Sequence, residues 1–278
     1  MPHKLAVITV LYKNYSILDD FFASFDNQTN KNFQIYICDQ TEKRQSINLP
    51  EYVKFNTSFN GGYAHGVNIG LKKAIKDGYT QFCVINSDTS IDKTFVDILI
   101  NQLYGRPGSI VGGKIYYFPG FEYHKERYSK DQLGGVIWYA GGKIDWNNVV
   151  GLHRGVDEVD EKKYTKFEHT DFVSGCLMAF DKSVVDTIGF FDESYFLYYE
   201  DADYCERAKQ VGVSLYYDPS IIIWHKNAQS TSGSGSQLQR NFQSKSQLKF
   251  GLKYAPFRIK LHLIKNLVLR RYALNKKS

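Results

Sequence analysis

A carboxylate directly after an apolar run is the first group in this sequence that could do chemistry. Asn86-Ser87-Asp88 follows the apolar residues Phe82 to Ile85, so its backbone would be held rigidly at the end of a buried strand. One or two such carboxylates can hold a hard divalent cation against phosphate oxygens. The alternative is that Asp88 or Ser90 caps a helix that begins near Lys93. Considered without other residues, the triplet favours the helix cap.

A second acidic cluster, Glu200-Asp201-Ala202-Asp203, follows the aromatic run Phe196 to Tyr199. Acids in the first turn of a helix complement the helix dipole, which is a purely structural role. Acids crowded beside aromatic side chains also suit a general base, because burial and like charge raise a carboxylate pKa. His225 ends the apolar run Ile221 to Trp224 and could bind a metal, although a single histidine at a strand end is more often structural.

Glycines at Asn60 to Gly70 mark the start of a predicted helix. Bare backbone N–H groups there could approach a ligand. The other interpretation is close packing of the helix on the sheet through Gly62, Gly66 and Gly70, and the sequence leaves both open. Neither G-x-G-x-x-G after the first strand nor G-x-x-x-x-G-K-[ST] occurs, so the usual dinucleotide and P-loop cradles are excluded.

Alternating strands and helices must position these residues. The β-branched run Lys4 to Tyr12 predicts a buried parallel strand, and an amphipathic helix follows over Tyr15 to Phe25. The next predicted elements are strands at Phe33–Cys38, Val53–Asn56 and Gln81–Ile85 and helices at Tyr63–Lys76 and Lys93–Leu103. This order predicts a doubly wound, mostly parallel α/β sheet, in which ligands bind beyond the carboxyl ends of the strands. Asp39 and Asp88 both fall at such ends.

The second half of the sequence is less regular. Gly112 to Trp146 is rich in Gly, Tyr and charge, which predicts an inserted hairpin region around the site. Further predicted elements are strands at Ser174–Phe180, Val213–Tyr217 and Ile221–Trp224, a helix at Asp201–Val211 and a flexible polar loop at Gln229–Gln237.

Charge is distributed unevenly along the chain. The net charge is +6, yet residues 219–278 hold twelve Lys or Arg and no Asp or Glu, which leaves 23 basic and 29 acidic residues in 1–218. A basic end on an acidic body indicates an anionic partner. On a helix, Phe257, Leu261, Ile264 and Val268 form one apolar stripe, so we expect this segment to dock on an anionic membrane face. The alternative is that the stripe packs on the body; no nucleic-acid motif accompanies the charge, so we expect no nucleic-acid partner.

Cysteine spacing and the N-terminal residues bear on the compartment. The four cysteines lie far apart without a C-x-x-C pair, which indicates reduced thiols. The N-terminal apolar run of about eight residues is too short for a signal sequence or a spanning helix. We therefore expect a cytoplasmic protein, peripheral at the inner face of the cell membrane.

Together these residues resemble the family 2 glycosyltransferases with the GT-A fold, particularly the rhamnosyltransferase-like and galactofuranosyltransferase-like members. The resemblance covers nearly the whole chain. It is carried by the ordered set Val10-Leu11-Tyr12, Asp39, Asn60–Gly70, Asn86–Asp88, Ser174–Cys176, Glu200–Asp203, His225 and Arg240-Asn241.

The resemblance implies a role for each matched residue. Nucleotide binding is implied for Val10, Tyr12, Asp39, Gly62, Asn68, Asn86 and Asp88; a Mg²⁺ or Mn²⁺ site for Asp88 and His225; and acceptor binding for Gly175, Asp203, Arg240 and Asn241. Asp201 resembles the general base, with Glu200 beside it. The chain departs from the family's D-x-D metal motif at its first position, where Asn86 adds no charge and makes the expected metal affinity weaker. Residues 1–228 would form the catalytic domain, with a nucleotide-binding half at 1–116 and an acceptor and catalytic half at 117–228; residues 229–278 would form a loop and a helical basic extension.

The implied reaction is inverting sugar transfer from a nucleotide diphosphate to a hydroxyl of a glycan or polyprenyl-linked acceptor, in bacterial cell-surface polysaccharide synthesis. The resemblance favours dTDP-rhamnose as donor over a UDP-sugar such as UDP-galactofuranose. A sugar-phosphate nucleotidyltransferase would need a Gly- and Arg-rich loop after the first strand, where this chain has Thr9 to Asn14. A non-catalytic polysaccharide binder would need neither Asp88 nor Asp201. The sequence leaves the oligomeric state open.

Overall fold

The computed structural model describes residues 4–226 and 237–275. Its strands are β1 (Leu5–Leu11), β2 (Phe33–Asp39), β3 (Val53–Thr57), β4 (Gln81–Ile85), β5 (Thr89–Ile91), β6 (Ile110–Tyr117), β7 (Ile137–Tyr139), β8 (Gly142–Asp145), β9 (Val150–His153), β10 (Glu168–His169), β11 (Leu177–Asp181) and β12 (Leu215–His225). Its α-helices are α1 (Leu18–Asp26), α2 (Tyr63–Lys76), α3 (Phe95–Gly105), α4 (Lys182–Ile188), α5 (Glu200–Gln210), α6 (Gln237–Tyr254) and α7 (Phe257–Asn275). The polar loop predicted at 229–237 lies outside the described residues except for Gln237, which begins α6.

Ten strands form one mixed sheet, and its α/β class agrees with the sequence. The order is β10-β12-β6-β11-β4-β1-β2-β3, with β5 paired to β12 and β7 paired to β6, while β8 and β9 form a separate hairpin. The β4-β1-β2-β3 half is parallel throughout. In the other half, β11 runs antiparallel to both β4 and β6. The sheet therefore brings the start of β11 to the same edge as the ends of β1 and β4.

Helix α2 packs on β1 at unusually short range. A Cβ at Gly66 would lie 2.7 Å from the Val10 side chain, and one at Gly70 would lie 2.5 Å from that of Ile8. These two glycines therefore serve helix-on-sheet packing, one of the two interpretations left open by the sequence. The close contact brings the first turn of α2 to the edge where β1 ends.

Strand β12 is continuous where the sequence predicted two strands. Its pairing with β6 shifts register between Asp218 and Ile222, so an irregularity around Pro219 interrupts the ladder without ending the strand. The short strand β5 was not predicted. It pairs antiparallel with the end of β12 and places Thr89 opposite His225.

Helix α6 packs on the body of the protein. Phe250 is fully buried, and its ring stacks on Trp146 with centroids 5.6 Å apart and planes at 7°. Lys253 and Tyr254 at its end both contact Asp203 of α5. The domain boundary predicted at residue 228 therefore assigns α6 and the residues on which it packs to different segments.

Helix α7 exposes the apolar stripe predicted from the sequence. The side chains of α7 that pack against the core are those of Ile259 and Leu263, which are not part of the stripe. The exposed fractions of the stripe are 76% for Phe257, 52% for Leu261, 47% for Ile264 and 62% for Val268. Packing of the stripe on the body, the alternative considered above, is thus wrong for these four side chains. Among the described residues, no helix is both long and apolar enough to cross a membrane.

Candidate active site

A cavity of about 600 Å³ opens where β1, β4 and β12 end and β11 begins. This is the edge at which open α/β sheets bind ligands, and the volume lies within the range of small-molecule sites. The sequence-predicted site residues in its wall are Val10, Tyr12, Gly62, Asn86, Asp88, Gly175, Glu200, Asp201 and His225.

Asp88 and His225 meet in the wall of the cavity, and both are buried. The Nε2 atom of His225 lies 3.2 Å from Oδ1 of Asp88 and 3.5 Å from Nδ2 of Asn86. The backbone holds this arrangement, because Lys226 N–H donates to the Asp88 carbonyl at 2.9 Å. The helix-cap alternative for Asp88 or Ser90 is wrong, because Thr94 is the N-cap of α3 and Ser90 lies in β5, which separates Asp88 from the helix.

The Asp88 and His225 pair fits a divalent cation by its donor chemistry. Asp88 lies in the turn between β4 and β5, and His225 ends β12. A carboxylate and an imidazole are ordinary ligands of Mn²⁺, and Mg²⁺ also takes carboxylate oxygens. The Nδ1 atom of His225 is buried without a hydrogen-bond partner. Within residues 4–226 and 237–275, no group of three His, Cys, Asp or Glu could hold a metal, so ligand oxygens and water would have to complete the coordination.

Helix α5 begins with two acids beside the cavity. Oδ2 of Asp201 accepts the Gly175 N–H at 2.8 Å, and Oδ1 accepts the Ala202 N–H at 2.8 Å. Burial raises the pKa of Asp201 above its ordinary value, although these N–H groups oppose the shift. Glu200 is buried with Oε2 unpartnered, and burial, followed by the Asp201 charge, raises its pKa well above the usual range. A fixed carboxylate with a raised pKa has the properties of a general base.

Two consecutive tyrosines in the left-handed region direct the chain into α5. Tyr198 has φ 67° and Tyr199 has φ 69°. Such backbone is strained for a residue with a bulky side chain, by about 1–3 kcal/mol each. The Tyr199 hydroxyl donates to the Val149 carbonyl at 2.8 Å and helps to hold it. The sharp turn places Glu200 and Asp201 in the cavity wall directly after the aromatic run.

Aromatic residues that were not assigned to the site from the sequence form another wall. Trp138 packs edge-on against His225 and His153, with ring centroids 4.8 and 4.4 Å apart. Phe196 stacks on Phe242 of α6 at 4.8 Å. Burial lowers the pKa of His153 to about 4, so this imidazole is neutral at physiological pH. Trp138 had a sequence signal because it lies in the Gly- and Tyr-rich region expected around the site, and Phe196 had one because it begins the aromatic run before Glu200.

Two residues expected to bind nucleotide lie outside the cavity wall. The Asn68 side chain donates to the Phe191 carbonyl at 2.9 Å and accepts its N–H at 3.0 Å, so it anchors the segment after α4. Asp39 is fully buried and accepts from the Tyr15 hydroxyl at 2.6 Å and the Thr41 N–H at 2.9 Å. The side chains of both residues are hydrogen-bonded within the fold, and their expected roles in nucleotide binding stay predictions.

Three residues expected to bind acceptor also lie outside it. Asp203 is fully buried in an ion-pair network with α6. Arg240 and Asn241 are exposed on α6, whereas the cavity wall takes Phe242 and Gln243 from the next positions. A helix turns by roughly 100° per residue, so neighbouring positions face different directions.

Comparison with solved structures identifies the fold class. The structure of GalNAc-T7 with UDP, GalNAc and Mn²⁺ superposes with a TM-score of 0.68 at 14% identity, over 93% of this chain and 49% of that one. The expected GT-A fold is confirmed.

The sequence comparison identifies the family. Residues 6–189 match the profile of Glycosyl transferase family 2, and the chain belongs to this family. An N-acetylglucosaminyl-diphospho-decaprenol L-rhamnosyltransferase of Mycobacterium tuberculosis is 37% identical over 246 residues, covering 83% of this chain and 78% of that protein. The low-salt glycan biosynthesis hexosyltransferase Agl10 of Haloferax volcanii is 21% identical over 77% of this chain, which spans 64% of that protein's length.

Proposed function

We propose that this protein is an inverting glycosyltransferase that moves a sugar from a nucleoside diphosphate to an acceptor hydroxyl. The observation that carries the proposal is the placement of Asp201 and of the Asp88 and His225 pair in the wall of one cavity. Membership of Glycosyl transferase family 2 supports it. A nucleotidyltransferase or a passive binder would not require a held carboxylate of raised pKa in this wall.

In the proposed mechanism, Asp201 accepts the proton of the acceptor hydroxyl as that oxygen attacks the anomeric carbon. Attack from the face opposite the diphosphate breaks the bond to the leaving group and inverts the anomeric configuration. Gly175 and Ala202 orient the carboxylate by their N–H groups. General-base assistance of this kind is worth about 10²–10⁴-fold in rate.

We place a Mg²⁺ or Mn²⁺ ion at Asp88 and His225, where it would offset charge on the departing diphosphate. The Mn²⁺ and UDP named with the GalNAc-T7 structure support this assignment. Asp88→Ala should weaken nucleotide binding only when divalent cation is present, and His225→Ala should do so more mildly. Equal weakening with and without cation would refute the metal site.

We propose dTDP-rhamnose as the donor, because the Mycobacterium tuberculosis relative is named as an L-rhamnosyltransferase. A UDP-sugar is the second candidate, since a galactofuranosyl glycosyltransferase of Leishmania donovani is 31% identical over 33% of this chain. A thermal-shift panel of dTDP, UDP, GDP and CDP with and without Mn²⁺ separates them, because a ligand stabilises the fold it binds. A larger shift with UDP than with dTDP would reject the rhamnose donor.

Transfer itself tests the base. Asp201→Asn should abolish transfer and leave nucleotide binding nearly intact, because it removes the proton acceptor and keeps the shape of the side chain. Asp186→Asn is a matched control, since this exposed acid lies on α4 and is absent from the cavity wall. Near-normal turnover by Asp201→Asn would show that Asp201 is not the base.

We further propose that α7 docks the enzyme on an anionic membrane surface, where it would reach a lipid-linked acceptor. The exposed stripe Phe257, Leu261, Ile264 and Val268 can enter the interface, and the segment 219–278 holds twelve basic residues without an acid. Near an anionic leaflet each basic residue contributes about 1 kcal/mol, within a Debye length.

Co-sedimentation with liposomes tests the docking. Because the stripe is exposed, Phe257→Ser with Leu261→Ser should preserve folding and reduce binding to anionic vesicles; binding should also fall at high salt and with neutral vesicles. Exposed Leu152→Ser, on the β8–β9 hairpin, is the matched control. Binding that ignores salt and survives the stripe substitutions would refute docking, as would concentration-dependent dimerisation through the stripe seen by light scattering.

A further inference from the structure

The first residue of α2 is linked to the proposed base through a single glycine. The Tyr63 hydroxyl donates to the Gly175 carbonyl at 3.0 Å, and the Gly175 N–H donates to Oδ2 of Asp201 at 2.8 Å. Asp201 thus accepts from a residue whose own carbonyl is held by Tyr63. Both links lie in the cavity wall.

The turn that contains Gly175 transmits position by direct contact. Leu177 N–H donates to the Ser174 carbonyl at 3.1 Å, which closes a turn over residues 174–177. A Cβ at Gly175 would lie 3.1 Å from Cβ of Asp201. A Cβ at this distance would push Asp201 aside by a few tenths of an ångström, so the turn lies directly against the base. A shift of the turn therefore shifts the N–H that holds the carboxylate.

Tyr63 also fastens the chain that leads into α5. Its N–H donates to the Phe196 carbonyl at 2.9 Å. The preceding Gly62, with φ +90°, approaches that carbonyl so closely that a Cβ would lie 2.2 Å from its oxygen. The backbone of Tyr63 therefore holds the segment before Glu200, while its side chain holds the turn beside Asp201.

We propose that Tyr63 is a positioning residue for Asp201, acting through Gly175. The inference rests on the proposed function, in which Asp201 accepts the acceptor proton. A base must be held within a fraction of an ångström and some 10–20° of its productive geometry, so a bond that fixes its N–H partner supports turnover. Tyr63 needs no contact with substrate for this role.

The ionisation of Asp201 reports on the same link. The Gly175 N–H stabilises the charged carboxylate and lowers its pKa, against the larger effect of burial. A looser turn would weaken this bond and raise the pKa further. The titratable neighbours that interact electrostatically with Asp201 are Glu200 on its own helix, Tyr63 on α2, Cys176 in the turn, and Tyr199 and Cys205.

The test is Tyr63→Phe, which removes the hydroxyl and keeps the ring. We expect kcat to fall about 5- to 10-fold, as for the loss of one hydrogen bond, with the KM for the donor changed less than about twofold. The acid limb of the kcat profile should move to higher pH. Carbon-13 NMR of labelled aspartate carboxyls, with the Asp201 signal assigned by Asp201→Asn, should show a raised pKa independently of turnover.

Tyr217→Phe is the matched control, because it removes a hydroxyl that donates to the Tyr164 carbonyl at 3.0 Å and is absent from the cavity wall. It should leave kcat, the pH profile of kcat and the NMR titration of Asp201 unchanged. An unchanged kcat and an unchanged Asp201 pKa in Tyr63→Phe would overturn the inference, as would a change in KM alone. If Tyr63→Phe does not fold, Tyr63→Met, which also removes the hydroxyl and fills the space with a flexible side chain, must raise the Asp201 pKa, or the inference falls. A wild type without transfer activity would refute the proposed function, while the NMR titration would still decide the link between Tyr63 and Asp201.

Discussion

Asp203→Asn should destabilise the folded protein and should leave acceptor binding unchanged. The Asp203 carboxylate is fully buried and receives three bonds: from Nε of Arg207 at 2.8 Å, Nζ of Lys253 at 2.6 Å and the Tyr254 hydroxyl at 2.8 Å. Asparagine keeps the shape but loses the charge, and its NH₂ group faces donors. The substitution therefore leaves the Arg207 guanidinium and the Lys253 ammonium poorly paired.

The magnitude follows from burial on each side. Removing one partner of a buried ion pair costs about 3–5 kcal/mol. The Arg207 and Lys253 side chains are 21% and 39% exposed, so both can regain some water. We therefore take the lower end, about 3 kcal/mol, which for a chain of this size corresponds to a melting temperature lower by about 6–12 °C.

Urea unfolding followed by circular dichroism measures this loss. Asp186→Asn is the control, because its pair with Lys182 is exposed on both sides and should contribute less than about 0.5 kcal/mol. A double-mutant cycle with Lys253→Met should show a coupling of about 1 kcal/mol or more. If Asp203→Asn unfolds within about 0.5 kcal/mol of the wild type while acceptor binding is lost, the structural role is refuted and the acceptor role is restored.

Two further predictions concern the cavity wall. Glu200 has a raised pKa, so the stability it contributes is fully present below its unfolded pKa near 4.5 and is lost as pH rises through the folded value. Glu200→Gln should reduce this loss, and an unchanged pH dependence of the free energy of unfolding, measured with urea above and below neutral pH, would contradict it. Gly62→Ala should destabilise more than Gly78→Ala by about 1–3 kcal/mol, because both have left-handed φ but only a Cβ at Gly62 meets backbone, at 2.2 Å from the Phe196 oxygen; equal melting temperatures would show that this contact relaxes freely.

The parallel half of the fold could be predicted from the sequence because its signals are local. Helix α2 and strand β4 have the predicted bounds, Tyr63–Lys76 and Gln81–Ile85. The predicted helix at Tyr15–Phe25 instead begins with a 3₁₀ turn at Tyr15–Ile17, and α1 follows at Leu18–Asp26. Strand β5 was missed because its pairing partner lies in β12, and a three-residue strand has no periodicity of its own.

The site was predictable where a residue type and its position in an element coincided. Asp88 follows β4, Asp201 lies in the first turn of α5 and His225 ends β12; all three line the cavity. Asn68 and Asp203 have the same polar chemistry, but their side chains are bonded within the fold. Only long-range contacts separate the two groups, since Asn68 binds a backbone group 123 residues away.

Pairing of β5 with β12 also determines how early during its synthesis this protein can bind a ligand between Asp88 and His225. Asn86 and His225 are separated by 139 residues, and the pairing of β5 with β12 helps to bring them together. At about 5–20 residues per second, ribosomes would take roughly 7–30 s to synthesise the intervening chain, and such long-range pairing forms late. A nascent chain that has emerged only as far as β5 contains Asp88 but not His225. A ligand that bridges Asp88 and His225 can therefore stabilise only the finished fold, and it cannot act as a template for the polypeptide still on the ribosome.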